Sequence, residues 1–81
     1  MTPEYLKEAL PSLLNADFAG ATNVRLLWLA RAYVALCGLA TFDSPAGEFG
    51  TRRIWLQRID TLFGVLRERC RRESDAALRC R

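Results

Sequence analysis

Apolar positions along the chain fall into three helical stretches separated by two breaks. The first stretch is short. Thr2-Pro3-Glu4 reads as a helix start: a hydroxyl to cap, a proline where its missing N–H costs nothing, and an acid near the positive end of the dipole. Tyr5, Leu6, Ala9 and Leu10 then share one side, with Lys7 and Glu8 turned out. Pro11 discourages continuation, so the spacing predicts a helix over about 3–10. Residues 11–21, PSLLNADFAGA, read as a connector with a short turn at Ser12 to Asn15. Leu13, Leu14 and Phe18 tuck it onto the core.

The second stretch, VRLLWLARAYVALCGLATF from Val24 to Phe42, is apolar except for two arginines. Thr22 or Asn23 caps it, and a helix is predicted over about 23–41. FDSPAGEFG then breaks the chain with a proline, a serine and two glycines. A third helix is predicted over about 51–73. Its stripe is Trp55, Ile59, Leu62 and Leu66, flanked by Leu56, Phe63 and Cys70. Gly64 inside it costs about 1 kcal/mol relative to alanine. Beyond Arg72, RESDAALRCR reads either as continued helix or as a frayed tail over 74–81. No alternating strand pattern occurs. The fold class expected is all-α: one domain over 1–81, with a short N-terminal helix and two long antiparallel helices joined by a loop.

The second helix is apolar nearly all round. It is no membrane span: spanning takes about twenty apolar residues, and Arg31 near the middle adds about 3 kcal/mol of insertion cost. On the helical wheel, Trp28, Leu39, Leu36, Leu29, Tyr33, Leu26 and Cys37 form a broad arc for the third helix to cover. Opposite runs a second seam, Leu27, Arg31, Val34 and Gly38, with small neighbours at Ala30, Ala35 and Thr41. A solvated face would carry Glu, Lys or Gln there. Two coverings compete: the first helix with its connector, or another chain. Composition favours surplus apolar surface. The chain is 51% hydrophobic, yet one of this size buries only about 63% of its unfolded surface.

Charge divides the chain. The net charge is +3, but residues 51–81 hold nine arginines against four acids, and residues 1–24 are net acidic. Eleven of the twelve cations are arginine, a bias that points to a GC-rich, bacterial genome. Arg67, Arg69, Arg71 and Arg72 are the best case for nucleic acid. Against it, Glu68 with Arg72 and Arg69 with Glu73 are i,i+4 pairs that neutralise each other. Arg52 and Arg53 open the third helix at the wrong end for its dipole. With Phe49 before them and Trp55 after, they form an arginine–aromatic cluster of the kind enriched in binding hot spots. The bland alternative is a core Trp55 beside solvated arginines.

Chemistry is sparse. There is no histidine, which removes the usual general base and the commonest metal ligand. Cys37, Cys70 and Cys80 lack metal-ligand spacing, and an odd count is a poor disulfide framework. Cys70 reads as a core thiol of the apolar stripe. AGEFG matches no phosphate-binding loop. No leader is visible in MTPEYLKEAL, so the cytoplasm is the expected compartment. No enzyme, cofactor or metal is expected.

The function expected is that of a small bacterial regulatory protein that binds another protein through an apolar helix face. Its concrete form would be an antiactivator or adaptor that sequesters a transcription factor by blocking its dimerisation, and a homodimer is expected as well. The interface residues expected are Leu27, Arg31, Val34 and Gly38, then Phe49, Arg52, Arg53 and Trp55. The alternatives are a nucleic-acid-binding helical domain using the arginine-rich third helix, and a secretion-type chaperone or complex subunit.

Overall fold

The structure is a computed structural model that describes residues 1–40 and 49–79, with side chains as far as residue 75. Among the described residues, three helices make up the fold: α1 (Pro3–Leu14), α2 (Asn23–Leu39) and α3 (Arg52–Arg79). No strand occurs among them, so the chain is all-α. The loop that was expected from Phe42 falls outside the described residues as far as position 48, as does Thr41.

The predicted starts hold. Thr2 caps α1, its Oγ1 accepting from Tyr5 N–H at 3.2 Å, and Thr22 caps α2 in the same way, accepting from Arg25 N–H at 3.1 Å. The end of α1 is different from expectation. The helix runs through Pro11 to Leu14 instead of stopping near Leu10. Proline forfeits one backbone hydrogen bond there, to the Lys7 carbonyl. Both residues are exposed, so water can serve that carbonyl. The last turn is held by tertiary contacts instead. Leu13 is fully buried, and the Tyr33 hydroxyl donates to its carbonyl at 2.6 Å. Asn15 closes the end by donating its side-chain amide to the Pro11 carbonyl at 2.9 Å.

Beyond Arg72, where the sequence allows either continued helix or a frayed tail, α3 continues as helix to Arg79. Arg71 lies 2.5 Å from Glu68 and 3.6 Å from Asp75, and Arg72 lies 3.3 Å from Glu68, pairs that support a helix through its solvent-facing side.

The core lies between α2 and α3, with α1 closing one side. Leu26, Leu29, Ala32, Tyr33 and Leu36 of α2 meet Trp55 and Leu62 of α3, and Leu6, Leu13 and Phe18 complete the cluster. Tyr33 is its centre. It stacks on Trp55 (centroids 5.7 Å apart, planes at 25°) and meets Phe18 edge-on at 6.0 Å. Trp55 Nε1 donates to the Phe49 carbonyl at 2.6 Å, so each large aromatic has its polar atom satisfied. Two residues of the expected arc lie elsewhere. Trp28 turns towards α1, edge-on to Tyr5 at 6.3 Å, with its Nε1 donating to the Tyr5 hydroxyl, and the Arg25 guanidinium lies over its ring. Leu39, in the last turn of α2, is exposed.

Two arginines of α3 fix the hairpin at either end. Arg52 Nε donates to the Cys37 carbonyl at 2.7 Å and its Nη2 to the Ala40 carbonyl at 3.2 Å. These carbonyls end α2, where they lack intrahelical donors and the dipole is negative. At the other end, the Arg69 guanidinium lies 2.8 Å from Asn23 Oδ1, 3.1 Å from the Ala19 carbonyl and 2.5 Å from that of Ala21. It ties the α1–α2 connector to α3. The expected Arg69–Glu73 pairing gives way to these contacts.

Candidate protein-binding face

The α2 seam stays uncovered. Leu27 is 57% and Val34 59% exposed, and Arg31 and Gly38 are exposed between and beyond them. A Cβ added at Gly38 would meet nothing within 4 Å. Of the two coverings considered, α1 with its connector is ruled out. α1 approaches α2 from the Trp28 side, and the connector is held to α3 by Arg69.

The second expected cluster does not form a surface. Trp55 is only 2% exposed and belongs to the core. Arg52 is occupied at the end of α2. Phe49 is half-buried against the core and gives its carbonyl to Trp55. Arg53 alone of the four is exposed. The position of Arg52, unfavourable for the dipole of its own helix, is explained by service to the neighbouring one.

A third group was not among the expected interface residues. On α3, Leu56 and Phe63 are 46% and 47% exposed, and Cys70 is exposed instead of lying in the core. Ile59 and Leu66, half-buried, fill the positions between them. Together Leu56, Ile59, Phe63, Leu66 and Cys70 recur at spacings of three and four, the heptad rhythm of a helix–helix seam. The same rhythm runs down α2 through Leu27, Ala30, Val34 and Cys37. The signal was present in the sequence as the residues flanking the core stripe. What hid it was that Ile59 and Leu66 belong to both stripes.

The packing sets these two stripes side by side. One flank of α3 carries Ile54, Gln57, Arg58 and Thr61, which surround Phe18 of the connector. Leu56 and Phe63 lie about half a turn round the helix from that flank. On α2, Trp28 marks the flank towards α1, while Cys37, whose carbonyl meets Arg52, marks the flank towards α3. The outer stripes therefore adjoin on the side of the hairpin away from α1, forming one apolar face two helices wide.

The electrostatics of this face are simple. Burial pushes the Cys37 thiol above its ordinary range, with Arg52 pulling weakly the other way, so the thiol stays protonated. No group of three or more metal-ligating side chains occurs among the described residues. No described helix is long and apolar enough to cross a membrane. The arginine-rich segment offers few uncommitted cations: Arg69 is tied to the connector, and Glu68 and Asp75 draw Arg71 and Arg72. Comparison with protein-family models, with curated proteins and with solved structures finds no match.

Proposed function

We propose that this protein is a non-enzymatic docking module that binds another protein's helices through the apolar face of the α2–α3 hairpin. One observation carries the reading. Two heptad-spaced apolar stripes lie next to each other and exposed, and scattered surface leucines would not share a rhythm. A face of this kind matches the helical surfaces through which many regulatory proteins dimerise. Its concrete form is a bacterial antiactivator or adaptor that occupies the dimerisation helices of a transcription factor. Cation commitment along α3 counts against the nucleic-acid reading.

The test is capture from the cell of origin with the full chain and two variants, Val34→Glu and Phe63→Glu. Each places a charge in one stripe at an exposed position, so the helical circular dichroism should be unchanged. Both variants should lose the captured protein, whereas Arg53→Glu, outside the stripes, should keep it. If the captured protein is a DNA-binding factor, wild-type chain should also abolish its gel shift. Undiminished capture by both stripe variants would remove the face from the function.

A further inference from the structure

Resting on the reading that this face docks helices, we infer that its resident occupant is a second copy of the chain, joined about a two-fold axis that runs parallel to the helices. In this arrangement α2 of one copy lies on α3 of the other, and Arg31 pairs with Asp60 of the copy.

The inference starts from register. α2 and α3 are antiparallel, with Arg52 at the Cys37–Ala40 end and Arg69 at the Asn23 end. Arg31, midway along α2, therefore stands level with Asp60, midway between Arg52 and Arg69. Both side chains are exposed, and neither has an ion-pair partner among the described residues. Each lies on the outer edge of its apolar stripe: Arg31 follows Leu27 by four residues, and Asp60 precedes Phe63 by three.

Two symmetric ways of closing the face are open. A two-fold axis across the helices stacks α2 on α2 and α3 on α3, each antiparallel. Centred on the face, that brings Arg31 against Arg31 of the copy, halfway along one edge of the contact. A two-fold axis along the helices preserves height. It places each α2 on the other copy's α3 and sets Arg31 opposite Asp60, twice per dimer. The apolar stripes fit both arrangements, and the edge charges favour the second. The product is a four-helix bundle with α1 of each copy outside it.

The area is sufficient. α2 has 17 residues, which at 1.5 Å per residue gives a face about 25 Å long and, with two helices, about 20 Å wide. That is about 500 Å² from each copy and about 1,000 Å² in all, the lower bound for a specific interface. A dimer of this size exchanges readily, which suits a face that must also admit a regulatory target.

The test is sedimentation equilibrium on the full chain, on Arg31→Glu, on Asp60→Arg, and on mixtures. Wild type should show a concentration-dependent monomer–dimer equilibrium. Each single variant should dissociate about tenfold more readily, since two edge pairs turn from attraction to repulsion. An equimolar mixture of the two variants should recover dimer. The carboxylate introduced at position 31 of one chain then meets the guanidinium introduced at position 60 of the other, and the native Arg31 and Asp60 meet at the second edge. Circular dichroism checks that each variant is folded, and the charge-neutral pair Arg31→Gln and Asp60→Asn provides a second set. If Arg31→Glu instead recovers dimer when mixed with wild type, α2 stacks on α2 and the proposed axis is wrong. If wild type stays monomeric at every concentration, the second copy is not the occupant; the docking face still stands provided that Val34→Glu loses the cellular partner. A dimer indifferent to both Val34→Glu and Phe63→Glu would overturn the inference and place the contact elsewhere.

Discussion

Tyr33 shows how one side chain can join three parts of a small fold. Its ring lies between Trp55 and Phe18, its hydroxyl donates to the Leu13 carbonyl at 2.6 Å, and the positive charge of Arg58 favours its ionised form. The phenol is fully buried, and burial raises its pKa above the ordinary value, more than Arg58 and Arg25 lower it. The folded state thus holds the phenolic proton more tightly than the unfolded chain. Stability from this group is complete below about pH 10 and falls as pH rises towards the folded pKa. Cys37, raised in the same direction, adds a loss that begins about a unit or more lower. Tyr33→Phe keeps the ring but leaves the Leu13 carbonyl without its donor. It should cost about 1–3 kcal/mol at pH 7. It should also flatten the alkaline decline above about pH 10, leaving the part due to Cys37. Denaturant unfolding at neutral and at alkaline pH measures both.

At the scale of elements, the arginines of α3 act as fasteners between helices more than as surface charge. Arg52 terminates α2, and Arg69 gathers the connector beside Asn23. Beyond Arg69 the ion pairs of α3 among the described residues are within the helix itself: Arg71 and Arg72 reach Glu68 and Asp75. Deleting residues 74–81 should therefore lower stability by less than about 1 kcal/mol, since exposed ion pairs and a helix terminus are what is lost. Deleting residues 69–81 removes the fastener and should cost more than that, leaving the α1–α2 connector unprotected. Hydrogen exchange at Ala19 to Ala21 in the two truncations separates the cases. Protection lost in the shorter deletion would contradict the assignment to Arg69.

For the molecule as a whole, the balance of surface decides. Its core, among the described residues, is one small cluster of eleven buried side chains, and a face two helices wide stays apolar on the outside. Covering that face adds stability in proportion to association, so the midpoint of thermal unfolding should depend on protein concentration. For a dimer of this chain length, a tenfold rise in concentration should raise Tm by about 4 °C. Val34→Glu should lose that dependence. A Tm independent of concentration in wild type would mean that one chain is stable with its face bare.

Much of this architecture was legible in the residues themselves. Thr2 and Thr22 announce helix starts through local capping chemistry, and the three- and four-residue spacing of α3 announces its stripe, because both depend only on near neighbours in the chain. The exposed seam at Leu27 and Val34 was legible too, since the wheel leaves it opposite the richest apolar arc. What local signals could not supply was which partner each residue meets. Pro11 reads as a stop, but burial of Leu13 and the Tyr33 hydroxyl carry α1 three residues past it. Arg52 and Trp55 read as a surface hot spot, but one meets the carbonyls at the end of α2 and the other stacks in the core, contacts made between residues far apart in the chain. Leu56, Phe63 and Cys70 read as margins of a core stripe, and only the placement of α1 on the opposite flank leaves them exposed beside Val34. Periodicity and capping are short-range, so the order of residues was enough to set the helices and their apolar faces. Which of those faces enters the core and which remains open was settled by packing, because that depends on how many neighbours three helices can provide.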